Sequence, residues 1–257
     1  MARPGRTLAR MLPELIAHRG WTRRFVENTA RAVEAALEVG AQHVEVDVQL
    51  SSDGVPFLFH DRDLLRICGV PGALHERSAT ELATLRAFEP ERFAERFSDQ
   101  PLTRLEELVR LLEAYPDRHA FIELKRASLE VFGASAVLDA VLPLLEPLRE
   151  RCCLISFDHA VLASARARGA WSVGPVLESW DQLEGAQLRE LQPETVFCNL
   201  WRLPDEDPLR IPSGALAVYE VDDPALALSL ARRGVELVET FAIGEMLGAL
   251  RQPGAGE

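Results

Sequence analysis

Eight short apolar runs, each followed by a helical or connecting segment, recur from Leu15 to Leu250, and this alternation limits the possible folds more than any other feature of the chain. Strands are expected over 15–17, 43–48, 120–124, 154–157, 172–177, 195–199, 216–221 and 235–239. Helices are expected over 30–39, 105–114, 135–148, 159–168, 225–233 and 243–250. Eight strand–connection units is the count of a closed (β/α)8, or TIM, barrel. A doubly wound open sheet is the alternative, but its glycine-rich phosphate turn after the first strand is missing.

Local punctuation agrees with the alternation. Asn28 or Thr29 can cap the first helix and Gly40 can close it. Ser52-Asp53-Gly54 reads as a tight turn into an extra strand over 55–59 that delivers His60. Residues 62–101 are too long and too mixed for one connection and read as a small insertion after the second strand. The connection over 201–213 is rich in Pro and Asp, so its helix is expected to be short or absent, and 252–257 reads as a frayed tail. With 257 residues, the whole chain, 1–257, suits one barrel domain.

The net charge of −12 argues against nucleic acid or an anionic membrane as the main partner and requires any anion site to be locally basic. Cys68, Cys152, Cys153 and Cys198 show neither a C-x-x-C pair nor zinc-like spacing, so reduced thiols packed in strands are expected. With no secretory h-region and no run of transmembrane length seen, the expected location is the cytoplasm, with no integral membrane segment.

The chemistry concentrates between Ile16 and Asp61 and again at Glu123 and Lys125. Val44, Val46 and Val48 alternate with Glu45 and Asp47, which places both carboxylates on one face of a strand, about 7 Å apart. Two buried like charges at that distance repel each other unless a cation lies between them. Glu123 and Lys125 are likewise two apart, and His18, Arg19 and His60 stand at neighbouring strand ends, so all converge on one rim of a barrel. Three carboxylates without a cysteine make a hard oxygen site suited to magnesium, calcium or manganese. Arg19 and Lys125 would bind an anionic oxygen, and two histidines can supply one base and one acid near neutral pH. A divalent cation with Arg and Lys is what a phosphate ester needs.

These residues resemble one family. Ile16-Ala17-His18-Arg19-Gly20, Glu27-Asn28-Thr29, Gly40-Ala41, Val44-Glu45-Val46-Asp47-Val48, Ser52-Asp53-Gly54 and His60-Asp61 are similar to segments of the glycerophosphodiester phosphodiesterases. Pro101-Leu102-Thr103-Arg104-Leu105-Glu106-Glu107 resembles that family's P-T-L-E-E segment, and Ile122-Glu123-Leu124-Lys125 continues the likeness. Weaker echoes at Ser156-Phe157 and Gly234-Val235 extend it over about 15–247. The resemblance implies a TIM barrel that hydrolyses small glycerophosphodiesters, released by phospholipid turnover, to an alcohol and glycerol 3-phosphate. It implies Glu45, Asp47 and Glu123 as ligands of one divalent cation, magnesium first with calcium or manganese as alternatives. His18 and His60 become the acid–base pair, and Arg19 and Lys125 the phosphate-binding residues. The order of the two histidines stays open, as does direct water attack against a cyclic phosphate intermediate.

The chain departs from the family pattern at three places. Val26 replaces a proline before Glu-Asn-Thr, Tyr219-Glu220-Val221-Asp222-Asp223 replaces W-T-V-N-D, and Glu239-Thr240-Phe241 stands where T-D closes the eighth strand. Glu220 and Glu239 would add negative charge to the far side of the pocket and favour a cationic head group. Two rival functions remain. One is lysophospholipase D-type hydrolysis of acylated substrates, which needs a long apolar groove. The other is a catalytically silent paralogue that binds phosphodiesters, against which stands the retention of every histidine and metal carboxylate.

Overall fold

The alternating valines decide how the second strand sits. In a computed structural model describing residues 12–205 and 207–251, Val44, Val46 and Val48 turn outward into the packing between strands and helices, and Glu45 and Asp47 turn inward. The strand runs over β2 (His43–Leu50) beside β1 (Glu14–His18), with α1 (Ala30–Glu38) between them in the chain. Thr29 caps α1 by accepting a hydrogen bond from the Ala32 amide. A turn then returns β3 (Pro56–Leu58) antiparallel to β2, pairing Val48 with Leu58.

The rest of the chain adds strand and helix in turn. After the insertion and α5 (Leu105–Glu113) come β4 (His119–Leu124), α6 (Arg126–Leu145), β5 (Cys152–Ser156) and α7 (His159–Ala167). They are followed by β6 (Ser172–Leu177), α8 (Ala186–Leu191), β7 (Thr195–Asn199), β8 (Ala215–Tyr219), α9 (Pro224–Arg233), β9 (Leu237–Thr240) and α10 (Ile243–Leu250). Strands β1, β2 and β4–β9 are all parallel, and β9 pairs back onto β1, so the sheet closes into an eight-stranded barrel. The expected (β/α)8 fold is the observed one.

The barrel interior is filled from below by Ile16, Phe121, Cys153, Ile155, Val176, Phe197, Ala217 and Leu237. Phe121 and Phe197 meet edge to face with centroids 5.0 Å apart. Gly174 gives Phe197 its room: a Cβ there would lie 3.0 Å from Ile155 Cγ2 and 3.2 Å from the Thr195 carbonyl oxygen. Above this apolar layer the inward positions are Glu45 and Asp47 on β2, Glu123 on β4, Tyr219 on β8 and Glu239 on β9. The apolar floor therefore excludes water from beneath a layer that is mostly acidic.

Residues 62–101 form a separate apolar cluster beside the barrel. Short helices α2 (Leu65–Cys68), α3 (Ala79–Leu82) and α4 (Pro90–Phe93) surround Leu64, Ile67, Leu74 and Leu82, which pack against Phe57, Phe59 and Val26.

Several elements differ from expectation. Helix α6 starts at Arg126, nine residues before the expected 135, because Gly133 (φ 78°) lets two helical segments join across a kink. The stretch Arg126–Arg151 is long and apolar enough to cross a membrane by length and composition, contrary to the sequence reading. Its Val137, Leu138, Val141, Leu142 and Leu145 are buried in the layer around the barrel, which accounts for the apolar composition. Cys152, Cys153 and Cys198 lie in strands, but Cys68 ends α2; all four are free and buried. Among the described residues, 201–213 carries only the end of a 3-10 turn, Leu200–Arg202. The tail over 252–257, like the first eleven residues, lies outside the described residues.

Candidate active site

The β1–α1 turn shapes the first half of the site. His18 ends β1, and Arg19 follows in the left-handed region (φ 57°), a conformation that costs a non-glycine residue about 1–3 kcal/mol. Gly20 (φ 86°) lies against the backbone of α1, where a Cβ would sit 2.6 Å from the Ala32 carbonyl carbon, so only glycine fits. The turn aims the Arg19 backbone N–H at Glu45 Oε2, 3.2 Å away. The Arg19 side chain places Nε 3.0 Å from Asp47 Oδ2 and donates from Nη1 to Glu27 Oε1 at 3.1 Å. His18 stacks on Phe241 with centroids 4.5 Å apart and has Nε2 3.8 Å from Glu45 Oε2.

Strand register supplies the carboxylates. His18 is paired with Glu45 across β1 and β2, and Asp47 with Glu123 across β2 and β4. Carboxylate oxygens of Glu45, Asp47 and Glu123 lie within 4.8 Å of one another. Lys125, just past β4, reaches back with Nζ 2.9 Å from Glu123 Oε1 and 3.1 Å from Asp47 Oδ1. Asn28 grips Asp47 twice, donating from Nδ2 to Oδ2 at 2.8 Å and accepting the Asp47 amide at 3.0 Å. Of the two candidate caps, Thr29 is the cap and Asn28 the contact.

Burial and charge set the protonation of this cluster. Burial, then Asp47 and Glu239, push the Glu45 carboxyl well above the usual range, and burial likewise raises Glu239 and Glu123. Burial would raise Asp47 too, but Lys125 and Arg19 outweigh it and hold that carboxylate well below its ordinary value. Burial, helped by Arg19, lowers His18 and keeps its ring neutral. Glu45 Oε1 and Glu239 Oε1 are fully buried and have no hydrogen-bond partner among the described residues. Unpartnered oxygens beside three clustered carboxylates suit a hard divalent cation, so Glu45, Asp47 and Glu123 fit as its holders.

The second half of the site comes from the loop after β3. His60 Nδ1 lies 2.8 Å from Asp61 Oδ1, and buried Gln49, on β2, holds the loop from beneath. Its Nε2 stands 3.0, 3.0 and 2.6 Å from the carbonyl oxygens of Phe59, His60 and Asp61. Sequence reasoning passed over Gln49, although its place two residues after Asp47 on the same strand face was a usable signal.

A cavity of about 120 Å³ opens at the C-terminal end of the barrel, walled by His18, Arg19, Glu45, His60, Glu123 and Lys125 on one side. Ile155, Phe157, Val176, Phe197, Tyr219, Glu220 and Glu239 form the other. His18, Arg19, Glu45, His60, Glu123 and Lys125 thus meet at one place, with Asp47 held behind the wall by Arg19 and Lys125. Ser156 is a structural hydroxyl that donates to the Leu124 carbonyl at 2.8 Å. Trp201 lies 87% exposed outside the cavity wall, and Trp171 is buried in the outer core.

A parallel eight-stranded barrel with its acidic cluster at the C-terminal strand ends defines an enzyme-like (β/α)8 architecture. The profile of the glycerophosphoryl diester phosphodiesterase family matches residues 18–235, and the chain belongs to that family. A glycerophosphodiester phosphodiesterase of Bacillus altitudinis is 30% identical over 154 residues, 59% of this chain and 61% of the relative. An uncharacterized Bacillus subtilis protein is 32% identical over 153 residues with the same coverage, so the match spans about three fifths of these relatives. The fold is similar to an Oleispira antarctica phosphodiesterase solved with the product sn-glycerol-3-phosphate (TM-score 0.82, 23% identity, 94% of this chain and 98% of that one). It is also similar to a Silicibacter pomeroyi structure described as a glycerophosphoryl diester phosphodiesterase (TM-score 0.78, 22% identity, 91% and 92% covered).

Proposed function

We propose that this chain is a metal-dependent phosphodiesterase that hydrolyses glycerophosphodiesters to an alcohol and glycerol 3-phosphate. One observation carries the reading: the carboxylates of Glu45, Asp47 and Glu123 gather within 4.8 Å beside the cations Arg19 and Lys125. Family membership and the product bound to the Oleispira antarctica structure support it. The proposal covers the chain as one barrel domain, acting in the cytoplasm, where its four free thiols would stay reduced.

Glu45, Asp47 and Glu123 would hold the cation, magnesium in the first instance. When bound, it supplies positive charge for the non-bridging oxygens as the ester bond breaks. Arg19 and Lys125 bind the phosphate from the same side, the guanidinium as a fork and the ammonium as a point charge. His18 and His60 act as the acid–base pair: one takes a proton from the attacking hydroxyl, and the other gives one to the leaving alcohol oxygen. Water supplies the atoms added across the phosphorus–oxygen bond, directly or after attack by the glycerol 2-hydroxyl. Phe241 stacks on His18 and limits its rotation.

The apolar wall of Ile155, Phe157, Val176 and Phe197 favours a second reading, hydrolysis of acylated substrates. The small cavity suits a glycerophosphate better than an acyl chain, so unacylated diesters are the primary assignment.

The test is incubation with glycerophosphoethanolamine and magnesium, reading glycerol 3-phosphate with and without EDTA and with His18→Ala. EDTA-sensitive release that the substitution abolishes is expected. No release with magnesium, calcium or manganese would overturn the assignment for unacylated diesters.

A further inference from the structure

We propose that Arg66, on the short helix α2 of the insertion, is a positioning residue that orients His60 through Asp61 and joins it through Glu27 to Arg19. The inference rests on the phosphodiesterase reading for the role of His60, but its geometry stands apart from it. Arg66 Nε lies 2.6 Å from Asp61 Oδ2 and Nη2 2.9 Å from Asp61 Oδ1, which is one fork. Nη2 lies 2.7 Å from Glu27 Oε1 and Nη1 2.9 Å from Glu27 Oε2, which is a second fork on the other edge of the same plane. Only a planar guanidinium presents two such edges; an ammonium would satisfy one carboxylate and release the other.

The forks complete an unbroken chain across the site. His60 meets Asp61 at 2.8 Å, Asp61 meets Arg66 at 2.6 Å and Arg66 meets Glu27 at 2.7 Å. Glu27 meets Arg19 at 3.1 Å, and Arg19 meets Asp47 at 3.0 Å. Glu27 is buried, so its charge needs these two arginines, and it fixes their spacing in return. The insertion is anchored to the same arginine by Glu89, 3.4 Å from Nη1 and itself paired with Arg92.

The consequence falls on the His60 ring. With both oxygens of Asp61 accepting from Arg66, the carboxylate stays ionised and acts as acceptor toward His60. The neutral ring therefore carries its proton on Nδ1, and Nε2 is left free of that bond to take up a second proton and give it away. A carboxylate without Arg66 could turn about its own bonds and release the ring. A merely charge-neutralising Arg66 would leave the ring tautomer indifferent to its removal.

Long-range proton–nitrogen NMR of the histidine rings in the full chain distinguishes these cases, alongside kinetics on glycerophosphoethanolamine with magnesium. At a pH where the His60 ring is neutral, the wild type should show the Nδ1–H tautomer, and Arg66→Gln should give a mixture of tautomers. Its kcat should fall about 10–100-fold, with KM changed by less than about threefold because Arg19 and Lys125 keep their own contacts. Arg66→Lys should recover only a small part of kcat. A pure Nδ1–H tautomer in Arg66→Gln, or an unchanged kcat, would overturn the proposal. If Arg66→Gln does not fold, Arg66→Lys keeps the charge and the same tautomer reading decides. If the wild type does not hydrolyse the diester, the functional reading fails while the NMR result still judges Arg66.

Discussion

Arg19 and Lys125 hold the same buried carboxylate from opposite oxygens: Arg19 Nε lies 3.0 Å from Asp47 Oδ2, and Lys125 Nζ lies 3.1 Å from Oδ1. The two cations come from different strand ends, β1 and β4, so Asp47 sets the distance between the groups proposed to grip the phosphate. Asp47→Ala removes a proposed metal ligand and leaves both cations buried without their shared partner. Breaking a buried pair in this way costs about 3–5 kcal/mol. The expected result is a lowered melting temperature together with loss of metal-dependent turnover, by about 10²–10³-fold or more. Glu45→Ala should lose turnover to the same degree with a smaller loss of stability, since one Glu45 oxygen has no hydrogen-bond partner among the described residues. Thermal melts and metal-titrated assays of the two variants check this, and near-normal rates in either would refute the metal assignment.

Gln49 should couple stability to catalysis. Its amide nitrogen faces three consecutive carbonyls in the loop that ends with His60 and Asp61. Gln49→Leu keeps the volume but withdraws the donor, at a cost of about 1–3 kcal/mol for the stranded acceptors. Because the loop carries His60, kcat should fall while KM stays near its original value. A melt paired with steady-state kinetics reads both, and a stability loss with kcat intact would show that the loop holds its shape without the amide.

The four thiols give a pH-dependent prediction independent of the site. Burial pushes Cys68, Cys152, Cys153 and Cys198 each up to about 12. In the folded protein they stay protonated at pH 8, so none should react with a thiol reagent such as Ellman's until denaturant is added, when all four should. Unfolded thiols ionise near their ordinary value and folded ones only near 12, so this contribution is complete below about pH 8.5 and is lost as pH rises toward 12. Denaturation midpoints across pH 8–11 measure it.

The barrel and most of its site were legible because barrel geometry repeats in sequence. Alternation in 44–48 told inward from outward, and spacing alone put Glu123 and Lys125 on one face. The insertion was not legible in the same way. Helices α2, α3 and α4 span four residues each, about one turn, which leaves no periodicity to detect. Arg66 was missed for that reason: it follows Asp61 by five residues in a segment without pattern, and its partner Glu27 is thirty-nine positions away. The first segment of α6, 126–132, was missed because Gly133 breaks the helical period before the segment that was expected from 135. Glu239 was singled out by its departure from the family pattern, but its burial between Glu45 and Tyr219 depends on the barrel closing through β9.

The positions of the two histidines in the cavity predict their roles. The His18 side chain is 8% exposed and lies beneath Phe241, whereas the His60 side chain is 33% exposed toward the opening. A departing alcohol leaves toward solvent, so His60, carrying a second proton on Nε2 at the start of the step while Nδ1–H stays on Asp61, is the expected proton donor and His18 the acceptor. An activated leaving group such as 4-nitrophenolate needs little protonation. His60→Ala should therefore lose about 10²–10⁴-fold on glycerophosphoethanolamine but far less on a nitrophenyl ester. His18→Ala should lose activity on both substrates to a similar extent, because activation of the nucleophile is common to them. Comparing kcat for each variant on the two substrates gives the answer. Equal losses for His60→Ala on both would reverse or void the assignment, and selective rescue of His18→Ala by the nitrophenyl ester would exchange the two roles.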